Sequence, residues 1–76
     1  MGVPGAKLVR INEPGLLADL QDYLRATECV AERVSPDELA ISVPGAPNED
    51  QARREIALYL DTWQALNPGV RVTSAA

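Results

Sequence analysis

The chain has 76 residues, of which 46% are apolar and 24% charged, with a formal net charge of −4 and no histidine. That length allows one domain, read as residues 1–76 with an ordered core over 6–73 and loose ends at 1–5 and 74–76. No apolar run approaches the roughly 18 residues of a membrane span. One cysteine and no histidine exclude an internal disulfide, a cysteine-cluster zinc site and imidazole-based catalysis.

Lys7 to Ile11 is a short β-branched run bounded by Pro4-Gly5 and Pro14-Gly15, and reads as a strand. Asn12 stands where it can cap the helix that follows, with Pro14 in the first turn, where a missing N–H costs nothing. Leu16, Leu17, Leu20, Tyr23, Leu24 and Thr27 recur at helical spacing and give that helix its core face. Residues 29–35 and 39–43 read as two strands joined by the turn Ser35-Pro36-Asp37-Glu38, in which proline presets the second turn position. Leu39, Ile41 and Val43 alternate with Ala40 and Ser42 and form a core face. In the preceding strand, Val30 and Val34 are expected inward together with Glu32, an inward charge that guards an edge strand. Ala31 and Arg33 are then expected to point away from the core.

Asn48 is placed to cap the second helix, with Gln51 three residues on and Glu49 and Asp50 at the positive end of its dipole. Ala52, Ile56, Tyr59, Leu60, Trp63 and Leu66 form its apolar stripe, Asn67-Pro68-Gly69 ends it, and residues 70–73 supply the last strand. The order β-α-β-β-α-β predicts an α+β fold of ferredoxin-like type. Its four-stranded antiparallel sheet would carry both helices on one face.

Two places could carry function. The first is the loop 12–16. Backbone N–H groups at a helix start attract carboxylates, Gly15 leaves room for close approach, and Asn12 and Glu13 can meet an ammonium group. The run Val9-Arg-Ile-Asn-Glu-Pro-Gly-Leu-Leu-Ala-Asp-Leu20 resembles the first strand and helix opening of ACT domains. These are small βαββαβ regulatory modules that commonly bind amino acids at dimer interfaces, beside a Pro-Gly turn. The resemblance implies a homodimer and a small amino-acid-type ligand lined by Asn12, Glu13, Pro14, Gly15 and Leu16.

The second place is the open sheet face, where Arg10, Arg33 and Arg71 are expected to share a surface suited to phosphate or carboxylate groups. RNA-recognition modules use such a face but stack bases on strand aromatics. Here Tyr23, Tyr59 and Trp63 all fall on helices and the chain is acidic, so nucleic acid is not an expected partner. A protein-interaction domain using this face or a sheet edge, with no small ligand, is the alternative.

Cys29 has no basic neighbour in sequence and reads as a buried, inert side chain. No nucleophile stands beside a base, so an enzyme is not expected, nor is a cofactor or metal. The N-terminus lacks the pattern of a signal peptide or a myristoylation start, no membrane association is expected, and a lone cysteine suits the cytosol. The sequence therefore points to a small cytosolic binding or regulatory module.

Overall fold

The computed structural model describes residues 7–75. The N-terminal stretch 1–5 and Ala76, both expected to be loose, lie outside the described residues. The elements are β1 (Lys7–Ile11), α1 (Leu17–Arg25), β2 (Val30–Ser35), β3 (Glu38–Ser42), α2 (Glu49–Leu66) and β4 (Val72–Ser74), with a single 3₁₀ turn over Pro14–Leu16 before α1. The strands form one antiparallel sheet in the order β2-β3-β1-β4, with β1 and β3 at its centre.

Local chemistry explains the boundaries. The Gln51 N–H donates to Asn48 Oδ1 at 2.8 Å, so the predicted cap opens α2. The chain leaves α2 through Gly69, whose φ of 92° is open to glycine at little cost. Ser35 pairs with Glu38 across the predicted proline turn, with a register shift between Arg33 and Ser35 that bulges β2. Val9, Ile11, Leu39 and Ile41 share one sheet face and form a single core with Leu17, Leu20, Leu24, Ile56, Leu60 and Trp63. Both helices therefore pack on that face. No helix among the described residues is long and apolar enough to cross a membrane.

Strand β2 faces the opposite way from the expectation. Ala31 pairs with Ile41 and is buried, as is Cys29, whereas Val30 and Val34 are 41% and 53% exposed and Glu32 lies in solvent. The physical reason is a balance of burials. Turning two valines inward would gain at most about 1.5–3 kcal/mol each. The same turn would bury the unpaired Glu32 carboxylate at a cost of several kcal/mol. The small Cys29 and Ala31 also let α1 sit low on this edge, where Gln21 Nε2 donates to the Ala31 carbonyl at 3.0 Å. Two smaller corrections follow. Leu66 is 69% exposed and takes no part in the core that the rest of its stripe joins. The tail is tied down as far as Ala75: Ser74 pairs with Val9, and the Ala75 N–H donates to the Leu8 carbonyl at 2.9 Å.

Trp63 is the largest fully buried side chain, and its indole N–H donates to Asp19 Oδ2 at 3.0 Å, joining α2 to α1. Trp63→Ala should cost about 3–5 kcal/mol, most of the stability of a domain this small. Trp63→Phe should cost less, about 1–3 kcal/mol, since one ring stays in the core and the exposed Asp19 regains water. Urea melts of both variants check this, and equal losses would show that a single ring cannot stand in for the indole at this site.

Candidate functional site

The end of β1 is fastened to both of its neighbours. The Ile11 N–H donates to the Asp37 carbonyl at 2.9 Å, and the Asn12 N–H to the Arg71 carbonyl at 3.1 Å. The Arg71 N–H in turn donates to Asn12 Oδ1 at 2.7 Å. Asn12 thus does not cap α1, as its position in the sequence suggested. Its side-chain amide adds a rung to the β1–β4 ladder beyond the Ile11–Val72 pair. The reason is the 3₁₀ turn, which starts at Pro14, closes with the Leu16 N–H on the Glu13 carbonyl at 2.9 Å, and has no side-chain cap.

Beside this rung lies an open cleft of ≈ 220 Å³ lined by Arg10, Ile11, Asn12, Pro14, Asp37, Arg71 and Thr73. It joins parts of the two regions singled out in the sequence. Asn12 and Pro14 come from the loop, and Arg10 and Arg71 from the open sheet face. Glu13 and Gly15 are exposed but do not line it, and Leu16 is partly buried against the core. Arg33 does not join Arg10 and Arg71. Its register partner is Leu39, which puts it on the helix side of the edge strand, exposed to solvent. This is the second consequence of the reversed β2.

Asp37, which the sequence shows only as part of the proline turn, and Thr73 complete the polar wall of the cleft. The pairing of β1 with β3, which sets Arg10 opposite Glu38, brings the hairpin tip alongside. Arg10 Nη2 lies 3.1 Å from Glu38 Oε2, and its Nε lies 3.6 Å from Asp37 Oδ2. The Ser35 hydroxyl is within reach of both acids, 3.0 Å from Asp37 Oδ1 and 2.7 Å from Glu38 Oε1. The charge of Arg10 is therefore answered within the fold. Arg71 makes no ion pair among the described residues, and the Asn12 Nδ2 and Thr73 hydroxyl groups donate no hydrogen bond there. The site thus offers a free guanidinium with two neutral donors on its β4 side, and a carboxylate on its hairpin side.

A smaller hollow of ≈ 140 Å³ lies between α2 and β4, with Lys7, Asp61 and Gln64 in its wall. Gln64 Oε1 reaches toward the Val72 N–H at 3.4 Å across it. Cys29 lies elsewhere, at the start of β2, with its N–H on the Thr27 hydroxyl. Burial pushes its thiol above the ordinary value, the Thr27 hydrogen bond pulls it back, and the nearby Glu55 and Glu28 carboxylates add to the rise. The described residues hold no cluster of three side chains suited to a metal ion. No family model matches the chain, and no curated protein or solved structure matches it significantly.

Two outcomes follow from this geometry. The fold holds the Cys29 thiol protonated, so the unfolded chain loses that proton first as pH rises. Stability from this source is full below about pH 9 and declines above it. Melting temperatures should therefore fall less steeply above about pH 9 in Cys29→Ala than in the parent chain, and identical slopes would remove Cys29 as a source of alkaline sensitivity. A methyl group added at Gly15 would meet nothing within 4 Å, and its φ is not positive. Gly15→Ala should thus hold or raise stability, by up to about 0.4–1 kcal/mol through the unfolded chain. A clear loss in a denaturant melt would show that the turn needs glycine after all.

Proposed function

We propose that this chain is a cytosolic, ACT-like binding module of ferredoxin-like architecture that takes a small amino-acid-type ligand, with a homodimer as its working form. The observation that carries the reading is the cleft at the end of β1. It places Asn12 and Pro14 of the loop next to one uncommitted cation, Arg71, and one half-exposed carboxylate, Asp37, which is shared with Arg10. A zwitterion needs both charges. At ≈ 220 Å³ the space is below the roughly 300 Å³ at which pockets for drug-sized molecules begin, and it suits a ligand of few atoms. A membrane or nucleic-acid partner finds no comparable support in a chain of net charge −4.

One observation favours a second reading, a protein-interaction domain that uses the open face or an edge. The reversed β2 leaves Val30 and Val34 in solvent on an edge strand, where apolar side chains favour contact with another chain.

The two readings separate in a 15N-edited NMR titration with pooled L-amino acids. A ligand site gives saturable shifts over residues 12–16 that also reach Arg71 and Thr73. A spectrum indifferent to every pool overturns the ligand reading. Concentration-dependent broadening centred on Val30 and Val34 would then establish the interaction domain.

A further inference from the structure

We propose that Arg71 is the anchor for the ligand's α-carboxylate, with Thr73 and the Asn12 amide completing the site. The inference rests on the amino-acid reading above and assigns the end at which that ligand is recognised.

Two cations reach the cleft, and the fold treats them differently. Arg10 is engaged by Glu38 and Asp37, so an incoming carboxylate would have to compete with two acids for it. Arg71 has no such partner among the described residues, yet its main chain is pinned on both sides by Asn12, at 2.7 and 3.1 Å. A backbone held in place under an unpaired side chain lowers the ordering cost that binding would otherwise incur. Guanidinium also matches a carboxylate through two parallel N–H donors, which an ammonium group does not.

The neighbouring groups agree in sign. Thr73 follows Arg71 by two residues on the same strand edge and brings a hydroxyl, while the Asn12 amide has spent its oxygen on Arg71 and keeps its NH₂. All three can donate. Asp37 stands on the hairpin side of the cleft as an acceptor that also faces Arg10 Nε at 3.6 Å and the Ser35 hydroxyl at 3.0 Å, so the ligand's ammonium group would share it, with the ligand's apolar part against Pro14. In a chain of net charge −4, an anion drawn to this one spot must be held by local donors rather than by the overall field.

The carboxylate and Arg71 can be removed separately. The full chain is titrated by 15N-edited NMR with pooled L-amino acids, and with the same pools as α-carboxamides, which keep the ammonium group and side chain. Both are repeated on Arg71→Gln, whose unliganded spectrum reports whether it is folded. The expected result is that the carboxamides bind the parent chain about 10- to 100-fold more weakly than the acids. Arg71→Gln should lose a similar factor for the acids and little for the carboxamides. Equal binding of acids and carboxamides by the parent chain, with shifts still over residues 12–16, overturns the role of Arg71 and leaves the amino-acid reading standing. A parent chain that answers neither pool overturns both. Weaker binding of the carboxamides with no loss of acid binding in Arg71→Gln also overturns the role of Arg71, since the N–H groups of the loop would then hold the carboxylate. Should Arg71→Gln fail to fold, Arg71→Lys takes its place, because it keeps the charge but not the two parallel donors and should lose the same preference for acids.

Discussion

Asn12 holds the end of β4 against β1, and the geometry of the cleft depends on that contact. The ladder between these strands has three register pairs, from Val9–Ser74 to Ile11–Val72, and β4 itself is three residues long. Such a short edge strand gains little from its own pairing. The pair of hydrogen bonds between Asn12 and the Arg71 main chain extends the ladder at the end where the strand would otherwise fray. It also fixes the point from which the Arg71 side chain projects. One side-chain amide thus links the stability of the sheet edge to the placement of a charged group.

Charge is distributed so that this placement matters. Arg10 serves the fold: it ties the hairpin tip to β1 through Glu38, whose carboxylate is mostly covered, and through the more exposed Asp37. An exposed pair of this kind contributes roughly 0–1 kcal/mol, so its larger effect is to fix where the Asp37 carboxylate sits. Among the described residues, Arg71 makes no comparable pair. The same cleft therefore holds a carboxylate whose position the fold determines and a cation whose charge the fold does not use.

Much of the architecture was legible because periodicity and punctuation agreed. Asn48 before α2, the proline turn between β2 and β3, and the leucine spacing of α1 each has a local cause that tertiary structure left intact. Strand β2 was not legible in the same way. Its two faces, Val30-Glu32-Val34 and Cys29-Ala31-Arg33, are each part apolar and part charged, so alternation offered no decision. What decided it was the close packing of α1 on this edge, which favours small side chains and excludes the Glu32 carboxylate. The same error moved Arg33 to the wrong side of the sheet. Asn12 failed for a related reason, since capping is a local expectation and its actual partner lies 59 residues away.

The cleft also makes small demands on the core. Arg71, Thr73, Asn12 and Pro14 are exposed, and the polar groups they present remain hydrated when no ligand is bound. Leaving such groups open costs little, whereas an unpaired polar group in the interior costs about 1–3 kcal/mol. A domain of this size, with stability on the order of 4–11 kcal/mol, could not hold several of the latter. Placing these groups at the end of the sheet, outside the layer filled by Trp63, Leu20 and Ile41, lets the chain carry them without weakening that layer. Asn12 is the exception. It belongs both to the ladder and to the cleft wall, so its replacement would disturb sheet edge and cleft together, while Arg71 can be altered at its side chain with the main-chain bonds intact.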